Sequence, residues 1–163
     1  MSWTTAPYLP TPPEVVRRML KIARVGLGDV VYDLGCGVGR ILIMAVKEFG
    51  TDRAVGYEIR GDLCTAALAE IERQGVQSRV KLLNRDIFDA DLHEATVITL
   101  YLNDSINQRL KPKLERTVRV DARIVSYAYE IKGWKVAKKT RLRGGDTIHL
   151  YIVPESINWV HAQ

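Results

Sequence analysis

Val30-Val31-Tyr32-Asp33-Leu34-Gly35-Cys36-Gly37-Val38-Gly39-Arg40 is the stretch on which the fold turns. A short, largely apolar strand runs into glycines at alternate positions, and Arg40–Phe49 then has the apolar spacing of a helix. Strand, glycine turn and helix in that order open a βαβ unit. Glycine lets the backbone turn tightly and approach a ligand where a Cβ would clash. In an open α/β sheet that turn lies beyond the carboxyl end of its strand, where ligands bind.

The same alternation continues outward. Upstream, Thr11-Pro12-Pro13-Glu14 reads as an N-cap, first-turn prolines and an early acid. Val15, Met19, Ile22 and Ala23 follow on one helical face, with Gly26 as the stop. Downstream, strands are expected at Ala54–Ile59, Val80–Leu83, Thr96–Leu102 and Arg123–Tyr129. Helices are expected over Asp62–Gln74 and Ser105–Thr117. Thr96–Leu102 is nearly continuous in apolar character, as a strand buried on both faces requires. Trp134–Leu142 and Thr147–Val153 pair around Gly144-Gly145-Asp146 as a hairpin. The prediction is an α/β fold: a doubly wound, Rossmann-like sheet of seven strands closed by an antiparallel C-terminal hairpin. One domain is expected to span residues 1–163.

The ligand follows from the turn and two acids. Dinucleotide folds use Gly-x-Gly-x-x-Gly and seat a pyrophosphate on the helix N-terminus. Here Gly35, Gly37 and Gly39 are spaced Gly-x-Gly-x-Gly, and Asp33 precedes them. An acid aimed at that turn repels a pyrophosphate and suits an ammonium group. Glu58, at the end of the second strand, can accept hydrogen bonds from two ribose hydroxyls. A cationic amino acid joined to a nucleoside without phosphate is S-adenosylmethionine, and that is the expected cofactor. Asp86 follows the third strand and reads either as an acceptor for the adenine amine or as a turn aspartate. Ile87 or Phe88 can sandwich the ring. Arg40 reads equally as a surface helix residue or as part of the turn's binding role.

Composition excludes several classes. No stretch approaches the ~20 apolar residues that cross a bilayer, and the proline-rich start has no signal-peptide core. Cys36 and Cys64 make no disulfide framework and no metal site, so no metal is expected and a reducing cytoplasm is. The net charge of +5 suits acidic partners and keeps nucleic acid open as one. Lys135, Lys138, Lys139, Arg141 and Arg143 form the one basic cluster, readable as a solvated hairpin face or as a docking surface.

Tyr8-Leu9-Pro10-Thr11-Pro12, the Asp33–Arg40 turn, Val55-Gly56-Tyr57-Glu58, Lys111-Pro112-Lys113-Leu114-Glu115 and Glu130-Ile131-Lys132-Gly133-Trp134 occur in that order. Together they resemble the archaeal seven-β-strand protein-lysine methyltransferases. These are small relatives of the eukaryotic non-SET histone lysine methyltransferase and of the mitochondrial ATP-synthase c-subunit lysine methyltransferase. The resemblance runs from about Tyr8 to Val153. It implies methyl transfer to exposed lysines of proteins, with broad substrate choice, by a monomer. It also implies that residues 1–26 form an N-terminal cofactor-covering segment and helix, with Tyr8 and the Thr11 hydroxyl at the methionine end of the cofactor, that Tyr101 touches both cofactor and acceptor, and that Asn107 and Trp134 belong to the acceptor site.

Chemistry agrees with that assignment. Methyl transfer is an in-line displacement, so positioning supplies much of the catalysis. The acceptor amine must be neutral, whereas free lysine has a pKa of about 10.4. A nearby sulfonium and an apolar aromatic channel both lower it. Tyr8, Tyr101 and Trp134 are candidates for that channel, although Tyr101 and Trp134 read equally well as core packing. His93, His149 and His161 fall at no motif position, so no general base is expected. An RNA or small-molecule methyltransferase is the alternative within the class. Outside it stands a cofactor-binding subunit without activity. The fourth strand ends in Tyr101-Leu102-Asn103-Asp104, which lacks the Asn/Asp-Pro-Pro-Tyr/Phe signature of adenine-amino and amide methylation.

Overall fold

A computed structural model describes residues 8–158; residues 1–7 of the expected cofactor-covering segment and His161 lie outside the described residues. The elements run α1 (Pro13–Ile22), β1 (Val30–Leu34), α2 (Arg40–Lys47), β2 (Arg53–Tyr57), α3 (Gly61–Arg73) and β3 (Val80–Leu83). They continue with β4 (Val97–Leu100), α4 (Asp104–Thr117), β5 (Arg123–Tyr127), β6 (Lys138–Arg141) and β7 (Thr147–Ile152). One turn of 3-10 helix, Ile87–Asp89, lies between β3 and β4.

The strands form one seven-stranded sheet in the order β3-β2-β1-β4-β5-β7-β6. The pairs among β1 to β5 are parallel, and β7 enters antiparallel to β5 with β6 outside it. The chain order reverses between β1 and β4, which makes their carboxyl ends the topological switch point. β4 is buried at every position, as its nearly continuous apolar run anticipates. Alternate residues of the strands serve two apolar layers. Val31, Ala54, Val97 and Val125 pack with α1, α2 and Ile71 of α3, whereas Leu34, Val55, Ile98 and Ile124 pack with α4 and the turn around Ile87.

The ends of α1 depart from expectation. Pro12 occupies the N-cap without a side-chain bond, and Thr11 is buried instead of capping. At the other end Arg24, not Gly26, takes the left-handed position, with φ 54°. The Val25 N–H reaches Leu20 O and the Arg24 N–H reaches Lys21 O, a Schellman closure two residues earlier than the glycine suggests. A side chain in that conformation is strained, so Arg24→Gly should stabilise the fold by about 0.5 kcal/mol net of glycine's added chain entropy. A urea midpoint that stays or falls would show the strain is already relieved.

The predicted strand Trp134–Leu142 is shorter than expected: β6 begins at Lys138, and Trp134 sits in the turn before it. β5 likewise stops at Tyr127 because Ala128 turns the chain with φ 69°.

Candidate active site

The glycine turn hangs from β2. The N–H groups of Gly35 and Cys36 both donate to Tyr57 O, at 2.8 and 3.0 Å, and the Gly39 N–H closes on Cys36 O at 2.9 Å. Cys36 then packs over Gly56, where a Cβ would lie 2.6 Å from Cys36 Sγ and 2.5 Å from Leu42. A larger residue at 56 would push the turn off the sheet. At Gly37, φ is 56° and a Cβ would come within 2.4 Å of the Tyr8 ring. Tyr8 therefore lies directly on the glycine, closing the turn from above.

Glu58 follows β2 and is nearly buried. Its Oε1 accepts from the Gly37 N–H at 2.9 Å and its Oε2 from the Arg60 N–H at 3.0 Å. Each carboxylate oxygen keeps a further lone-pair direction for a ligand hydroxyl. Asp33, one residue before the end of β1, is 4% exposed and its Oδ1 accepts from the Thr99 hydroxyl at 2.9 Å. Burial pushes its carboxyl up to about 7; the Thr99 hydrogen bond opposes the shift and the Glu58 charge adds to it. An acid held near neutrality by burial is a site that a cation would relieve.

These groups line a cleft of about 280 Å³ at the carboxyl ends of the central strands, near the ~300 Å³ lower bound of pockets for drug-sized ligands. Of the sequence candidates, Tyr8, Thr11, Asp33, Gly35, Glu58, Ile87 and Tyr101 all reach it. Gly37 lies behind Tyr8 and holds Glu58 by its N–H.

Asp86, Phe88, Asn107 and Trp134 do not line the cleft either. Asp86 caps the 3-10 turn, accepting from the Phe88 N–H at 2.8 Å, and does not line the cleft. Asn107 is 1% exposed on the inner face of α4, and neither amide atom has a partner among the described residues. Its neighbours Ile106 and Asn103 line the cleft in its place. Trp134 is 5% exposed within the α4 layer. Its indole N–H donates to Glu115 at 2.8 Å and its ring meets Tyr151 edge-on at 5.4 Å. Of the two readings open for Trp134, core packing is the one its surroundings match.

Arg40 and Tyr129 also line the cleft, the second a residue that the sequence did not single out. Arg40, left undecided on sequence, donates to Thr11 O at 2.6 Å and so ties the N-terminal segment to the first turn of α2. Tyr129 comes in from β5 because Ala128 takes a positive φ and the Tyr129 N–H turns back to Tyr127 O at 2.8 Å. Such a turn is strained for a residue with a Cβ. It brings Tyr129 beside Tyr101 at 6.4 Å, while Tyr127 packs against Tyr101 at 4.5 Å. The only sequence signal for this wall is the Tyr127-Ala128-Tyr129 spacing. His93 is exposed in a loop beside Asp91. His149 is buried in β7, its pKa lowered chiefly by burial. Neither lines the cleft.

Asp33 gives the site a pH signature. Its carboxyl ordinarily ionises near 3.8 and in the folded chain near 7. Between those values the folded state holds a proton that the unfolded chain lacks, so the ligand-free protein should lose stability as pH rises from about 4 to about 7. An ammonium group placed beside Asp33 favours the carboxylate. Cofactor affinity should therefore rise with pH below 7, by up to about tenfold per unit, with proton release on binding. Calorimetry in buffers of different ionisation enthalpy would measure that release. An Asp33→Asn protein with an unchanged slope would refute the assignment.

Comparison with known proteins places this geometry. A family model described as the ANTKMT methyltransferase domain matches residues 33–138. The chain is 45% identical over 152 residues to a protein-lysine N-methyltransferase of Saccharolobus islandicus (strain REY15A), covering 91% of this chain and 94% of that protein. It is 30% identical over 129 residues to the adenine nucleotide translocase lysine N-methyltransferase of Mus musculus, of which it spans 56%. In three dimensions it is similar to a crystal structure described as an RNA methyltransferase from Salinibacter ruber in complex with S-adenosyl-L-homocysteine. That likeness has a TM-score of 0.87 at 42% identity and covers 91% of this chain and 96% of that one.

Proposed function

The chain belongs to the ANTKMT methyltransferase-domain family, and from that membership we propose that it methylates lysine side-chain amines of proteins. It is an S-adenosylmethionine-dependent methyltransferase. The observation that carries the acceptor class is the 45% identity to a protein-lysine N-methyltransferase over 91% of the chain.

The residues present fit the cofactor. Asp33 is a buried acid with no cationic partner at hydrogen-bond distance among the described residues, Glu58 lines the cleft with its oxygens held by the Gly37 and Arg60 N–H groups, and the Gly37 turn leaves no Cβ in the way. When bound, the cofactor supplies an electrophilic methyl group on a sulfonium. Asp33 would hold the ammonium end, Glu58 the ribose, Ile87 a face of the adenine, and Tyr8 with Thr11 the methionine end. Arg40 fixes Thr11 through its carbonyl oxygen.

Tyr101 and Tyr129 form the acceptor wall. Their ring faces attract a lysine ammonium, and the apolar wall then favours its neutral form. Burial, with smaller contributions from Tyr129 and Asp146, pushes the Tyr101 hydroxyl up, so it stays protonated and acts as a hydrogen-bonding group rather than a base. The amine's proton leaves to water, and this chain's part is to orient the nitrogen in line with the methyl group.

The proposal takes residues 1–163 as one methyltransferase domain, working as a monomer in a reducing cytoplasm. Two buried free thiols, Cys36 and Cys64, agree with that compartment. No helix among the described residues is long and apolar enough to cross a membrane.

An RNA acceptor is the second reading, favoured by the likeness to the Salinibacter ruber protein. Incubation with methyl-labelled cofactor and a mixed lysate decides between them. Label on lysine Nζ, located by mass spectrometry, supports the protein reading. Label that survives protease and is lost to nuclease overturns it.

A further inference from the structure

β6 is an outer strand of the sheet, and among the described residues it pairs with β7 alone. The Leu142 N–H bonds to Asp146 O. By the alternation of an antiparallel ladder, Thr140 and Lys138 are then the residues bonded to β7. The main-chain groups of Lys139 and Arg141 face the free edge. Lys138, Lys139 and Arg141 are exposed on this strand, with Lys135 before it and Arg143 after it, also exposed. None of the five takes part in an ion pair among the described residues, whereas Arg17, Arg53, Arg60, Arg73 and Arg123 each face a carboxylate.

The position of this edge links it to the cleft. β6 runs parallel to β5, because both are antiparallel to β7. Its carboxyl end and the turn at Leu142–Asp146 therefore lie at the cleft end of the sheet. The Tyr127 hydroxyl donates to Asp146 Oδ2 at 3.2 Å, fastening that turn to the tyrosine that packs on Tyr101.

We propose that the free edge of β6 docks an acidic, extended segment of the protein substrate, added as a further strand that leads the acceptor lysine toward the Tyr101 wall. A polypeptide is the occupant the edge fits, since it can use both the unpaired main-chain groups and the cations. Single-stranded nucleic acid would use exposed aromatic faces, and β6 carries none. A strand added outside β6 lies about four strand spacings, or about 19 Å, from β4. Crossing that distance takes about six extended residues. The acidic segment is therefore expected about six or more residues from the methylated lysine. This inference rests on the protein-lysine reading, and its test separates the two by measuring binding and transfer independently.

The probes are two fluorescent peptides with one lysine each, one followed after about seven residues by a run of Asp and Glu and the other by Gln and Ser in the same places. Anisotropy should show the acidic peptide binding at least about tenfold tighter at low salt, with the difference shrinking as salt rises. The triple change Lys138→Glu, Lys139→Glu and Arg141→Glu should abolish that difference while leaving cofactor affinity intact, which also reports a folded chain. Lys139→Pro should weaken the acidic peptide by more than Lys139→Ala does, because it also removes an outward N–H that β7 does not use. Equal binding of both peptides, or no change in the triple variant, overturns the inference. So does an oligoribonucleotide that binds more tightly than the acidic peptide and is lost with the same changes. Acidic-peptide binding without methyl transfer would instead overturn the lysine reading and leave the docking edge standing.

Discussion

Glu58→Ala should bind the cofactor at least about 100-fold more weakly, a loss of about 2.7 kcal/mol. Hydrogen bonds to a charged group contribute about 1.5–3 kcal/mol each, and the proposal gives Glu58 both ribose hydroxyls. The same carboxylate holds the Gly37 and Arg60 N–H groups, so its loss also frees the glycine turn that Tyr8 covers. Glu58→Gln keeps one carbonyl acceptor and should fall between the two. Titration with the cofactor measures the affinity, and a melting curve without it reports the stability separately. An Ala variant that binds within about threefold of the parent would remove Glu58 from the ribose.

Trp134→Ala should destabilise the fold by about 3–5 kcal/mol, the range for removing a buried large aromatic. Its ring closes the layer beneath α4 against Tyr151, and its N–H ties the turn before β6 to Glu115. Trp134→Phe keeps most of the apolar surface and should cost much less, since the partly exposed Glu115 can be solvated in the absence of the indole. Cofactor affinity of the folded fraction should be unchanged in both variants. Denaturant unfolding decides the matter. A Trp134→Ala protein of parental stability with lost methyl transfer would put the indole back in the acceptor site, where the family resemblance had it.

The contrast between these two residues shows what can be read from one chain. Glu58 was legible because its position relative to β2 is fixed by the strand itself: a residue just past a parallel strand's carboxyl end faces the switch point whatever else packs there. Asp33 and the alternate glycines were legible for the same reason, lying within a few bonds of β1. Trp134, Asn107 and Asp86 carry no such local constraint. Their aromatic or polar character suits a cleft and a core equally, and the register of α4 and the short turn after β3 direct them away from the cleft.

The sheet divides in the same way. The alternation of apolar strands and amphipathic helices, the glycine turn and the closing hairpin are properties of local sequence, and they determined an α/β fold with seven strands. Local sequence does not say which strand of the hairpin meets β5. The structure seats β7 there and leaves the charged β6 outside. The physical reason is burial: β7 is interior along Ile148–Tyr151 and fits between two neighbours, whereas Lys138, Lys139 and Arg141 would be desolvated there. The tyrosine wall was beyond sequence reading too, because it depends on Ala128 holding a left-handed turn that only its surroundings sustain. The end of the cleft around Asp33 and Glu58 was thus written in short-range spacing, and the end around Tyr101 and Tyr129 was decided by how distant segments pack.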